Sequence, residues 1–233
     1  MLPRCNRLAT TKAMTMQRRL DEVRERIARA DARRGGRMTK LVAVSKTQPA
    51  SVIREAFEAG QRVFGENYVQ ELVAKSKELA DLDIEWHFIG HLQRNKVKDV
   101  VGVARVLQTI DRAALAAEVS RRAIRETSVF LEVNIAHEPQ KSGVDPAALA
   151  ALIEEVRVLP NLRLEGLMAV PPFCEDAEET RPHFRALRAL AEQLNAGSEL
   201  SMGMSNDFEL AIAEGATIVR VGTSIFGARP SAR

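Results

Sequence analysis

The sequence predicts a single (β/α)₈ barrel of parallel strands. Three observations carry that expectation. Eight short apolar runs alternate with helical segments, which is the pattern of parallel strands joined by helical crossovers. The chain has 233 residues, a size that suits one barrel domain. Its hydrophobic content is 45% with only 4% aromatic, so aliphatic packing must fill strands buried on both faces. A doubly wound open sheet is the other architecture compatible with the alternation.

The elements follow in order. A helix is predicted over 17–33, because Leu20, Val23, Ile27 and Ala30 recur at helical spacing and Gly35-Gly36 stops it. Leu41–Val44 reads as the first strand, and Pro49 and Ser51 open a helix closed by Gly60. Arg62–Gly65 reads as the second strand, with Asn67 capping a helix that reaches Leu79. Trp86–Gly90 is the third strand, followed by a short helix over 96–101. Val106–Thr109 is the fourth, with Asp111 as the next cap. Strands over 129–135, 162–168, 200–203 and 218–222 complete the eight, with helices over 146–158, 177–195 and 207–214 between them. Residues 1–16 form an extension and 17–233 the barrel domain.

Charge and cysteine usage exclude several classes. A net charge of +3 without a basic stripe argues against nucleic-acid binding. Cys5 and Cys174 are distant and outside any CxxC pattern, which suits a reducing, cytoplasmic setting. No apolar run is long enough to span a bilayer. The first sixteen residues are basic and lack acids, a composition shared by organelle transit peptides, disordered extensions and starts placed upstream of Met14 or Met16.

In such a barrel, chemistry belongs at the C-terminal ends of the strands. Lys46 follows the first strand. A buried lysine there becomes a neutral amine able to attack an aldehyde, whereas a rim lysine merely snorkels to water. Ser201–Asp207 follows the seventh strand and Arg220–Ser224 the eighth. Both place small and hydroxyl residues where helices begin, as in phosphate-binding turns, although ordinary capping by Ser205 and Thr223 gives the same pattern. A lysine beside strand one and a phosphate cradle at strands seven and eight would face a ligand with an aldehyde at one end and a phosphate at the other. Pyridoxal 5′-phosphate (PLP) has that shape.

The blocks LVAVSKTQP, FGENYVQE, WHFIGHLQRNK, EVNIAHEPQKSG, SMGMSNDFELAI and RVGTSIFG resemble the signatures of the pyridoxal phosphate homeostasis protein family. The resemblance runs over about 17–228 and is most specific in WHFIGHLQRNK. It implies a fold-type III PLP-binding barrel similar to the N-terminal domain of alanine racemase. It also implies that Lys46 forms a Schiff base with PLP, that Ser205, Gly222 and Thr223 bind the phosphate, that Asn67 lies near the cofactor, and that Arg220 faces the pyridine nitrogen. Lys141 matches a basic position linked in the family to PLP transfer or secondary binding. Some members carry a lysine where this chain has Gln48.

The implied role is a monomeric, non-catalytic carrier that supplies PLP to apo-enzymes. An arginine opposite the pyridine nitrogen disfavours ring protonation and weakens the electron sink. The racemase β-domain is also expected to be missing, since the chain ends just past the eighth strand. Two enzymatic alternatives stand beside it: a weak PLP-dependent racemase, and a sugar-phosphate barrel enzyme with Lys46 as an aldolase-type lysine. His87 and His91 lack the partners of a metal site. Glu66 and Glu132 are barrel-end acids with no defined proton-transfer task. Tyr68, the sole tyrosine, is expected to pack on its helix.

Overall fold

A computed structural model describes residues 14–227. Most of the expected extension, with Cys5, therefore lies outside the described residues. Helix α1 (Met16–Arg34) comes first, its start capped by Thr15, whose hydroxyl accepts from the Arg18 N–H at 3.3 Å. It ends where expected, at Gly35, whose φ of 75° is a conformation glycine adopts without a Cβ penalty. One face of α1 buries Leu20, Val23 and Ile27. Each such side chain contributes roughly 1.5–3 kcal/mol, more than exposed ion pairs such as Arg18–Glu22 supply.

The strands are β1 (Lys40–Val44), β2 (Val63–Glu66), β3 (Glu85–Phe88), β4 (Val106–Ile110), β5 (Thr127–Glu132), β6 (Leu162–Met168), β7 (Glu199–Ser201) and β8 (Ile218–Val221). Among the described residues these eight strands close into a barrel in sequence order. The pairs are all parallel, and β8 closes on β1 with Val42 opposite Arg220. The closed barrel excludes the open-sheet alternative. The connecting helices are α2 (Ala50–Glu58), α3 (Val69–Glu78), α4 (Val97–Val100), α5 (Ala113–Arg122), α6 (Leu149–Arg157), α7 (Arg181–Gln193), α8 (Phe208–Ala213) and a short α9 (Thr223–Phe226).

Strand alternation divides the core in two. Val42, Val106, Phe130, Met168 and Ile218 form one apolar cluster, while Ala43, Phe64, Leu107, Val219 and their neighbours pack into the larger one that includes the helices. Helix α1 lies over α8, where Arg26 forms two hydrogen bonds to Glu209 and stacks 4.5 Å above the Phe208 ring.

Several local expectations need correction. Asn67 does not cap α3. The Ile89 N–H donates to the Glu66 carbonyl and prolongs the β2–β3 pairing, the chain then bends at Asn67, and the helix begins only at Val69 with Tyr68 at the cap position. Tyr68, at the cap position of that helix, is 52% exposed. Asp111 does not cap α5 either. Arg112 occupies the cap position in an extended conformation, and the Asp111 carboxylate accepts from the Arg112 guanidinium at 2.5 Å. The fifth strand ends at Glu132 rather than 135: the Val133 N–H still donates to the Met168 carbonyl at 2.8 Å, but Val133 also bridges to Val144, and the Ile135 N–H turns back to the Val133 carbonyl.

Candidate functional site

At the C-terminal end of the strands lies a cavity of about 420 Å³. Its wall includes Lys46, Asn67, Ser205, Arg220, Gly222 and Thr223, the six residues singled out from the sequence, and also Gln48. Elements far apart in the chain supply them, and barrel closure brings them together: β1 next to β8 unites Lys46 with the Arg220–Thr223 segment.

Each residue has a local reason for its place. Lys46 occupies the turn after β1 and is half-buried. Asn67 sits at the bend between β2 and α3, and its side-chain Oδ1 is buried without a partner among the described residues. Its backbone is crowded by the next strand end, where a Cβ on Gly90 would lie 2.1 Å from the Asn67 carbonyl oxygen. Only glycine leaves that space. Ser205 and Gly222 tie the two phosphate-type turns together, since the Gly222 N–H donates to Ser205 Oγ at 3.3 Å. Gly203 sets the first turn with φ 90° and no room for a Cβ, which would meet Ala211 Cβ at 2.5 Å. Asp207 holds the same turn by accepting from the Met204 N–H at 2.6 Å. Gly222 stands at the N-cap of α9 and Thr223 in its first turn, where backbone N–H groups have no partner within the helix.

Arg220 is only 4% exposed. Burial lowers its pKa to about 10, opposed by the charges of Glu132 and Asp207, so it stays cationic at neutral pH. Its guanidinium donates to Ser201 Oγ at 2.6 Å and to the Ala169 carbonyl at 2.9 Å.

Ser201 opens a polar relay that the sequence did not reveal. An arginine can only donate, so Ser201 Oγ accepts from it and donates to Gln108 Oε1 at 2.6 Å. The Gln108 amide then donates to His87 Nδ1 at 2.8 Å, which leaves the ring proton on Nε2, 2.8 Å from Glu85 Oε1. Lys40 Nζ completes the relay at the opposite end of the barrel, 3.1 Å from the same carboxylate oxygen. Desolvation lowers the His87 pKa and keeps the ring neutral, while the bond from His87 draws Glu85 down to about 2. His87 is thus part of the packing that supports Arg220, while His91 points elsewhere, 3.0 Å from Ser142 Oγ. Among the described residues no group of three or more His, Cys, Asp or Glu could hold a metal ion. A signal for the relay existed in hindsight: period-2 alternation puts Glu85 and His87 on one face of β3, but the partners on β4 and β7 depend on register.

Sequence reasoning also missed part of the cavity rim. Val170, Pro172, Phe173 and Cys174, in the loop after β6, line it, and Phe173 is 74% exposed there. Lys141 is not among the lining residues; its ammonium pairs with Glu138 at 2.5 Å and approaches the Val170 carbonyl at 3.5 Å.

The profile of the alanine racemase N-terminal domain family matches residues 19–230. The chain is 48% identical over 221 residues to a pyridoxal phosphate homeostasis protein of Aquifex aeolicus, covering 91% of this chain and 97% of that one.

The chain belongs to that family.

Solved structures of the family agree in shape. PipY of Synechococcus elongatus with PLP bound superposes with a TM-score of 0.82 at 40% identity, covering 91% of this chain and all of that one. The alanine racemase of Bartonella henselae, 14% identical, shares the fold with a TM-score of 0.72; 94% of this chain matches 60% of the racemase. This member of the family therefore has the racemase barrel. No helix among its described residues is long and apolar enough to cross a membrane.

Proposed function

We propose that the chain is a PLP carrier in vitamin B6 homeostasis, holding the cofactor covalently through Lys46 and supplying it to apo-enzymes without catalysing a reaction of its own. The observation that carries this reading is one cavity lined by Lys46 together with the paired Ser205 and Gly222–Thr223 turns. Asn67 lines the same cavity, and its Oδ1 is buried without a partner among the described residues.

When bound, PLP supplies an aldehyde that amines capture and a pyridine ring that can draw electrons. The Lys46 amine would join the aldehyde carbon with loss of one water. Ser205 Oγ and the N–H groups of the Gly222–Thr223 turn would receive the phosphate. Arg220, fixed by Ser201 and Ala169, would place a permanent cation toward the ring nitrogen and oppose its protonation. Weak electron withdrawal favours storage of the aldehyde over chemistry on a bound amino acid. The relatives are named for homeostasis, which supports the same role. We place the carrier as a monomer that meets apo-enzymes through the open mouth of the cavity.

The test is spectroscopic. Addition of PLP should produce a visible absorption band that borohydride removes, leaving a reduced adduct on the Lys46 peptide by mass spectrometry. Lys46→Ala should abolish both. An adduct absent, or carried by another lysine, sinks the covalent assignment. Turnover of L-amino acids well above that of free PLP, lost in Lys46→Ala, would overturn the carrier role in favour of a racemase-like enzyme.

A further inference from the structure

The backbone on both sides of Lys46 is held by two side chains of α3, which Glu66 of β2 anchors in turn. Before it, the Ser45 carbonyl accepts from Lys75 Nζ at 2.9 Å. After it, the Thr47 N–H donates to Glu71 Oε2 at 2.8 Å. Lys75 joins the two grips. Its ammonium also donates to Glu71 Oε2 at 2.6 Å and to Glu66 Oε1 at 2.8 Å, and Ser45 Oγ donates to the same Glu66 oxygen at 2.7 Å. The cluster is enclosed: the Glu66 side chain is fully buried and that of Lys75 is 9% exposed.

Thr47 explains what the enclosure is for. Its φ is 64°, in the left-handed region that a β-branched residue rarely adopts. Such a conformation persists only where the surroundings over-determine it. Here the Glu71 carboxylate over-determines it by accepting the Thr47 N–H, and Lys75 holds that carboxylate in place. A buried ion pair is a poor way to gain stability, because apolar residues of similar volume do as well or better. Its geometric effect is specific, since both its hydrogen bonds to backbone fall on the neighbours of one residue.

We infer that Lys75, bridging Glu66 and Glu71, acts with them as a positioning device for Lys46, holding the Ser45–Thr47 turn in the strained form that presents the lysine to the cavity for capture of the aldehyde. This rests on the assignment of Lys46 as the cofactor lysine. Glu66, Glu71 and Lys75 are positioning residues; none of them lines the cavity.

The experiment uses the full chain with Glu71→Ala. This removes the acceptor of the Thr47 N–H at the more open end of the cluster and leaves Lys75 paired with Glu66. Two readouts are taken. Without cofactor, hydrogen exchange at the Thr47 amide should accelerate about tenfold or more, because the bond that protects it is gone. With PLP, the rate of attachment at Lys46, read from the visible band and the borohydride-trapped adduct, should fall roughly tenfold as the turn relaxes. Adding Thr47→Gly should restore attachment to within about threefold of the wild type, because glycine takes the left-handed conformation without strain. A merely structural role for the cluster would not be rescued at residue 47. Wild-type attachment rates in Glu71→Ala, or no recovery in the double variant, would overturn the inference. If the wild type forms no adduct at Lys46 although its Thr47 amide is protected, the cofactor assignment itself has failed and this inference falls with it.

Discussion

Ser201→Ala tests whether the barrel interior is built to hold Arg220. Two effects add. The variant removes a 2.6 Å bond accepted from a buried guanidinium, and bonds to charged groups are worth about 1.5–3 kcal/mol. It also leaves Gln108 Oε1 without its donor, and an orphaned buried acceptor costs about 1–3 kcal/mol. The sum is about 2.5–6 kcal/mol, a large share of the ~5–15 kcal/mol that keeps a domain folded. For a chain of this length each kcal/mol moves Tm by about 2–4 °C, so Tm should drop by at least about 5 °C. Urea denaturation of the cofactor-free chain gives the free energy directly. A double-mutant cycle with Gln108→Leu sharpens the test. Removing both partners of the Ser201–Gln108 bond leaves no orphan between them, so the two losses should be non-additive by about 1–3 kcal/mol. A loss under about 1 kcal/mol, or strict additivity, would refute the claim that these side chains form one connected support.

Two further outcomes follow from the same geometry. Glu132 is pushed up to about 7, first by burial and then by the neighbouring charge of Asp111. A raised carboxyl pKa means that the folded chain binds more protons than the unfolded one between about pH 4.3 and about pH 7, so this contribution to stability is full in acid and is lost as pH rises through that window. Glu132→Gln should shrink the fall in unfolding free energy between about pH 5 and about pH 8 by up to about 3 kcal/mol, and an unchanged slope would contradict it. Gly90→Ala places a Cβ against the Asn67 carbonyl, which is backbone and cannot step aside. It should lower Tm and weaken PLP binding roughly tenfold, about 1.4 kcal/mol, in an equilibrium titration; wild-type affinity would remove Asn67 from the site.

The local readings that failed did so for non-local reasons. Asn67 and Asp111 have cap-forming side chains just before helices, and propensity alone assigns them that task. Strand pairing overrode the first by carrying β2 to Glu66, so that the chain bends at Asn67 and Tyr68 takes the cap position, and an ion pair with Arg112 overrode the second. Asn67 instead lines the cavity. Lys46 and the two small-residue turns were legible as strand-end motifs because the barrel rule points there and each is short and local, whereas Asn67 was implied only by the family resemblance. The Glu66–Lys75–Glu71 cluster and the Arg220–Ser201–Gln108–His87–Glu85 relay were not, since their members come from different strands and helices and are linked only by register.

The sequence by itself determined the alternation of strand and helix, the barrel, and the placing of Lys46 and the two small-residue turns at strand ends, because periodicity and turn chemistry act over a few residues at a time. Only the tertiary structure decided how those residues are held. Barrel closure sets Lys46 beside Arg220. Register on the inner face threads a neutral His87 beneath Ser201. Packing of α3 against β2 brings a buried ammonium to the turn that presents Lys46. Those are contacts between distant parts of the chain, and their geometry exists only once the barrel has closed.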